Sequence, residues 1–460
     1  MNNLKNISID SFRSILLQLG MVLLLISCAD KKSTDEVSDE FPLPDVITEI
    51  QPAHLEPMLK LIGNSKIIGV SEGRHSMNEG LDFRNELIKF LVNERRIDVV
   101  AIESGLIESR ELFDYINGKK GDIDSVLYYG ISWTFDRLPQ NREIIEWLRN
   151  YNSNPSNDHK VRMYGFDVPG SPFNIFANRQ LNTAITETLS YLKTVDQLKW
   201  SEFESRLNPY IEYIYLNYFD SNDSTKQYIH LSEADRNALT GIINDLIKHF
   251  EINEIDYLKK SREENYQWAY RAAICSRQVD NWLRNIPLNF EIPKSLNEVI
   301  ASNLLWNQLQ GRDRSMLDNL DWIIKREPNT NILLFAHLIH MSKSTTTIVS
   351  VDSSNKLKID AFGKYLASRF GDDYKVIGNF YLKTKSGEDS SIVEHDALAN
   401  ELVSEVSKNY YRQLNQSDKV LLNKEWKYGE GVSNIRFYMN PYQGIDILFF
   451  TNTQTQVEIE

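Results

Sequence analysis

The sequence predicts an α/β fold: a mostly parallel sheet flanked by helices, with a large helical insertion forming a lid over a cleft at one end of the sheet. Three observations lead there. Short apolar runs alternate with segments of helical spacing through the first part of the chain. From about residue 173 to 326 the pattern turns helical throughout, rich in Leu, Ile, Tyr and Glu. Apolar strand-like runs then return after Asn331.

Taken in order, Lys66-Ile67-Ile68-Gly69-Val70 reads as a first strand, leading into Ser71-Glu72-Gly73. Leu81, Leu87, Ile88, Leu91 and Val92 recur at helical spacing behind it. Ile97 to Ile102 forms a second strand ending at Glu103, and the next helix stops at Asn117-Gly118. After a helix around Ile144 to Tyr151, a third strand runs from Val161 to Phe166 and ends at Asp167. Within the insertion, Asn208-Pro209 and the stretch from Asn285 to Pro293 break the helices. Later strands are expected at Asn331 to Ala336, ending at His337, at Tyr374 to Leu382 and at Ile445 to Phe450.

The first residues have a different character. Lys5 and Arg13 precede an apolar run from Ile15 to Ile26, the pattern of a signal peptide over residues 1–27. Leu25-Ile26-Ser27-Cys28 looks like a bacterial lipobox, which implies cleavage before Cys28 and a lipid on its sulfur. A membrane-anchored lipoprotein of the bacterial cell envelope is therefore expected. Residues 28–47 read as a flexible tether rich in Asp, Glu, Ser and Lys, followed by one large domain over 48–460 or two tightly joined lobes. Beyond Cys28 only Cys275 remains, so no intramolecular disulfide can form in the mature part. A net charge of −13 without a basic stripe argues against a nucleic-acid partner. Eight Trp and 22 Tyr are enough to line a pocket for a bulky apolar ligand as well as the core.

Chemistry is expected where strands end. Glu72, Glu103, Asp167 and His337 each terminate an apolar run, and ligands of open α/β sheets bind at that carboxyl edge. Two short echoes stand there, Glu72-x-x-His75 and His337-x-x-His340. The other histidines, His54, His159, His230, His249 and His395, have no convergent partners in the pattern.

These residues carry a resemblance. Ser71-Glu72-Gly73-Arg74-His75-Ser76, Arg84, Val99 to Ser104, Trp133, Tyr164-Gly165-Phe166-Asp167, Arg312-Asp313 with Met316 and Asn319, and Phe335-Ala336-His337-x-x-His340 together resemble the erythromycin esterase family. That resemblance covers nearly all of the globular part. It implies a catalytic set of Glu72, His75, Arg84, Glu103, His337 and His340; Trp133, Asp167 and Arg312 are candidates for binding substrate, and the helical face of Arg312, Met316 and Asn319 is equally open to a structural salt bridge to the sheet. It also implies hydrolysis of a macrolide lactone or a similar small-molecule ester by an activated water, with no cofactor and no bound metal. Imidazole chemistry fits, because His75 titrates near neutral pH and can take a proton from water as it attacks an ester carbonyl. Glu72 or Glu103 would orient that ring, and Arg84 or the second histidine pair would stabilise the oxyanion.

The chain departs from the family at Ser71 and Ser76, usually Gly, at Arg74, usually a small hydroxyl residue, and at Leu338, usually Asn. A cation at Arg74 is expected to lower the pKa of His75. Three rival readings share the same residues. Gly69-Val70-Ser71-Glu72-Gly73 matches the nucleophile elbow of a serine hydrolase. The Glu/His cluster is large enough for a metal-dependent hydrolase, and the same cleft would serve a surface lipoprotein that binds a ligand without turnover.

Overall fold

The computed structural model describes residues 40–460 apart from 134, 170–183, 212–227, 286–287, 289–303, 351–355, 386–391, 395–401, 403–407, 417, 431–434 and 459–460. The signal peptide 1–27, Cys28, most of the expected tether and His395 lie outside the described residues.

Strand β1 (Phe41–Leu43) is followed by α1 (Pro52–Ile62), β2 (Ile67–Glu72), α2 (Asn78–Asn93), β3 (Val99–Gly105), α3 (Arg110–Ile116), α4 (Ile123–Gly130), α5 (Pro139–Ser153) and β4 (Arg162–Asp167). The described helices that come next are α6 (Ala184–Val195), α7 (Gln197–Ile211), α8 (Glu233–Lys260), α9 (Glu263–Arg284) and α10 (Leu304–Arg326). Then follow β5 (Ile332–His337), α11 (Leu338–Met341), β6 (Thr346–Ser350), β7 (Lys356–Ile359), α12 (Phe362–Phe370) and β8 (Tyr374–Lys385). The last described elements are β9 (Ile392–Glu394), β10 (Asn409–Gln413), α13 (Asp418–Leu422), β11 (Trp426–Glu430), β12 (Ile435–Met439), α14 (Pro441–Gly444) and β13 (Ile447–Thr455).

Among the described residues the main sheet has the order β1-β10-β13-β8-β2-β5-β3-β4, with β9 paired to β8. From β13 to β4 every neighbouring pair is parallel, and β1, β10 and β9 add antiparallel edges. Every residue of β2, β3 and β5 is buried, which is why these strands read as unbroken apolar runs rather than alternating ones.

Alternate residues still go to opposite faces. Ile68, Val70, Val100, Ile102, Leu333 and Phe335 join a core with α1 to α5. On the other face Ile67, Val99, Ala101, Tyr164, Leu334 and Ala336 pack against α9, α10 and α12. The carboxyl ends of β2, β5, β3 and β4 thus emerge side by side between two helical layers.

Two differences from the sequence reading stand out. The tether is shorter than 28–47, because Phe41 stacks on Tyr411 and β1 pairs with β10. Three residues are too few to show a period. The helical insertion expected over 173–326 is present, and its described helices divide between two packings. Helix α10 lies on the sheet face through Met316, Leu320 and Ile323, whereas α6, α7 and α8 share a separate core with one side of α9. Trp268, Ala272 and Cys275 of α9 face the sheet core, and Ala269 and Ala273 face the bundle. A second, antiparallel sheet of order β11-β12-β6-β7 was not foreseen. Residues Glu40–Glu460 form one compact unit. Among the described residues no helix is long and apolar enough to cross a membrane.

Candidate functional site

Strand register builds the site. Glu72 ends β2 and His337 ends β5, and the two are paired Cα to Cα. The chain after Glu72 turns tightly, with Ser76 at a φ of 62°, and brings His75 back over the strand end. His75 Nδ1 lies 2.7 Å from Glu72 Oε1, while the ring stays open, 41% of the side chain being exposed. Phe135 packs on its ring at 5.2 Å between centroids and His337 at 4.8 Å.

Burial opposes a charge on His75, but the charge and hydrogen bond of Glu72, then the charge of Glu103, outweigh it and raise the pKa above the ordinary histidine value. The cation that pulls the other way is Arg312, so the lowering expected from Arg74 does not prevail.

His337 is the opposite case. Its Nδ1 accepts from the Ile339 N–H at 3.1 Å, and its Nε2 lies 3.1 Å from the Gly73 carbonyl oxygen. That pattern places the single proton on Nε2. Burial first, then the neighbouring His75, drive its pKa well below the usual value, so the ring is neutral.

Behind these two rings lies a buried charge cluster centred on Arg312 of α10. Its Nη2 donates to Glu103 Oε1 and to Asp167 Oδ2, each at 2.6 Å, and its Nε donates to Asp167 Oδ1 at 3.0 Å. Nη1 is 3.2 Å from His340 Nε2. Trp133 covers the guanidinium at 4.5 Å, and its Nε1 donates to Asp167 Oδ2 at 3.1 Å.

Glu103 is also held by the backbone N–H of His337 at 2.7 Å. Burial alone would raise its pKa, yet the positive charge around it, Arg312 foremost by contact, and that N–H hold it far below the usual carboxylate range. It is a fixed anion. The two carboxylates and burial leave Arg312 firmly charged as well.

All nine residues expected at the site are thus brought to this end of the sheet. Asp167 and Arg312, expected to bind substrate, are buried and spend their polar atoms on each other, on Glu103, on His340 and on Trp133. His340 is likewise buried, with Asp313 Oδ1 2.7 Å from its Nδ1.

Arg84 is buried beneath the cleft, donating to Asn85 Oδ1 from Nε and Nη2 at 3.0 and 2.8 Å, with its Cζ 4.6 Å above the Phe335 ring. Desolvation lowers its pKa to about 10, so it remains charged at neutral pH. Glu72, Arg84, Glu103 and Asn141 line a small cavity with Leu81, Ile102, Phe135, Leu138 and Phe335. A water centre has about 10 Å³ there, room for roughly one molecule. Glu72 Oε2 is buried with no hydrogen-bond partner among the described residues.

Sequence reasoning did not find Phe135, Asn85 or the role of Asp313. Asn85 sits beside Arg84 in the sequence and offered no signal of its own; its Nδ2 ties α2 to the Gln140 carbonyl at 2.8 Å.

The rivals fare differently. Ser71 donates its hydroxyl to the Ile377 carbonyl of β8 at 2.9 Å inside the sheet, away from Glu72 and His75, so it is no nucleophile elbow. Among the described residues no three His, Cys, Asp or Glu side chains are grouped as ligands around one point. The departures from the family pattern also find places. Ser76 occupies a left-handed backbone position that favours Gly, and Leu338 is buried in the sheet core.

The chain is similar to several known proteins. The chain is 19% identical over 324 residues, 70% of each chain, to an erythromycin esterase type II of Escherichia coli. A solved structure called a succinoglycan biosynthesis protein superposes with a TM-score of 0.67 at 17% identity, covering 92% of this chain and 96% of that one. An erythromycin esterase mutant in its open conformation does so with a TM-score of 0.60 at 15% identity, covering 90% and 97%. At such identities the solved structures speak for the fold alone. The family profile described as erythromycin esterase matches residues 92–414, and the chain belongs to the erythromycin esterase family.

Proposed function

We propose that this protein hydrolyses a carboxylic ester or lactone, macrolide-like in class, with a water activated by His75. The observation that carries this reading is the Glu72–His75 pair: an imidazole 2.7 Å from a carboxylate, open to the cleft, beside a cavity of one-water size. His75 takes the proton of the attacking water through Nε2, while Glu72 holds Nδ1 and stabilises the imidazolium that forms; the imidazolium then returns the proton to the alkoxide oxygen as the acyl C–O bond breaks. Arg84 is the cation lining that cavity among the described residues, and it supplies positive charge as the oxyanion develops. His340 and Arg312 are turned inward, which leaves that role to Arg84. A panel of carboxylic esters and lactones, including macrolides, offered to the purified protein tests this. Turnover that disappears in His75→Ala supports it, and the absence of turnover across the panel counts against an enzyme and favours a ligand-binding role.

The amino-terminal pattern supports a second part of the proposal. Residues 1–27 direct export, and Cys28 carries a lipid that holds the protein at the bacterial envelope membrane. If the Cys28→Ala protein is processed and fractionates with membranes as the wild type does, this part is wrong.

A further inference from the structure

Two consecutive residues of α10 close on the two nitrogens of one imidazole. Arg312 Nη1 lies 3.2 Å from His340 Nε2, and Asp313 Oδ1 lies 2.7 Å from His340 Nδ1. The other oxygen of Asp313 accepts from the backbone N–H of Phe362 at 3.0 Å, at the first turn of α12. Asp313 is therefore anchored on both oxygens and cannot swing away from the ring. His340 and Asp313 are nearly closed to solvent, with 3% and 4% of their side chains exposed. The only other charged group close to the ring among these contacts is Glu103, whose Oε1 is 3.5 Å from Nε2.

A guanidinium can only donate, so an Nε2 that receives it carries no proton, and the ring proton belongs on Nδ1 facing Asp313. We propose that Asp313 is a positioning residue: it fixes His340 as the Nδ1–H tautomer, whose bare Nε2 receives Arg312 and keeps that guanidinium turned onto Glu103 and Asp167. Glu103 in turn holds the His337 backbone N–H, so the order of the strand end that faces His75 depends on a carboxylate that never meets substrate. An asparagine at 313 reverses the pattern. Its amide donates to Nδ1, the ring proton moves to Nε2, and two donors then face each other at Arg312. The nearest acceptor for the displaced N–H is Glu103 Oε1, in competition with Arg312.

The kinetic arm of the test rests on the hydrolase reading, and the spectroscopic arm does not. In protein labelled with ¹⁵N-histidine, the His340 ring at pH 7 should show a protonated Nδ1 and a bare Nε2. Asp313→Asn should move the proton to Nε2. On any ester that is turned over, it should lower kcat by about 10²-fold, the cost of a small misplacement carried to the site from a change away from the chemistry, with KM changing much less. Wild-type His340 protonated on Nε2, or on both nitrogens, overturns the proposal even if the variant does not fold. A folded Asp313→Asn variant that keeps the wild-type tautomer, or keeps its kcat, overturns it too.

Discussion

Glu72 and His337 are register partners at the ends of neighbouring parallel strands, yet one holds an imidazole whose proton affinity is raised and the other is itself a neutral imidazole. The contrast comes from what each ring nitrogen meets. His75 faces a carboxylate, whereas both nitrogens of His337 are used by backbone groups that fix one tautomer. One protonable base beside one locked ring gives the site a direction for proton transfer, and the predictions below follow from it.

Because Glu72 raises the pKa of His75, the unprotonated base should appear only above about pH 6.5, the ordinary histidine value. The expected kcat/KM profile rises through a pKa above that value, and Glu72→Gln should move this limb down. Stability takes the opposite sign. A raised folded pKa contributes stability that is fully present below the unfolded value and lost as pH rises through the folded one. Activity and the stabilising Glu72–His75 ion pair should therefore trade off across this window. Kinetics and urea midpoints measured over the same pH series check both signs.

At acid pH the dominant group is Glu103. Its folded pKa is depressed, so its contribution is complete above about pH 4.3, the unfolded value, and is lost as pH falls toward the folded one. Urea midpoints should drop steeply below that pH in the wild type. Glu103→Gln should flatten this slope while lowering stability at pH 7.

Removing Arg312 leaves Glu103 and Asp167 buried without their cation. Arg312→Ala should cost about 3–5 kcal/mol, the range for breaking a buried ion pair from one side. Denaturant unfolding at pH 7 measures it, and a loss below 1 kcal/mol would show that the cluster is not the buried hub described.

Ser76 carries a side chain at a φ of 62°. Ser76→Gly relieves that strain and should stabilise the protein by up to about 1 kcal/mol, with the His75 turn unchanged. A fall in melting temperature would mean that the serine side chain supports the turn.

The strand ends were legible because each is a buried apolar run with an ionisable residue at its end, Glu72, Asp167 and His337, or two residues before it, Glu103. Proximity across the chain was not. Arg312 reaches Asp167 over 145 residues and Glu103 over 209, and helical spacing alone could not say that α10 lies on the sheet. The second sheet escaped notice for another reason. Strand β7 alternates exposed Lys356 and Lys358 with buried Leu357 and Ile359 over only four residues. Such short alternation is indistinguishable from loop.

The central claim is that His75, not Ser71, activates the attack. Kinetics of His75→Ala and Ser71→Gly on one ester, with intact-mass analysis of the wild type during turnover, test it most directly. The account predicts that His75→Ala loses about 10²- to 10⁴-fold in kcat/KM. Ser71→Gly, which gives up only the hydrogen bond to Ile377, should stay within a few-fold, and no acylated protein should accumulate. Loss of activity in Ser71→Gly together with an acyl group trapped on Ser71 would contradict it.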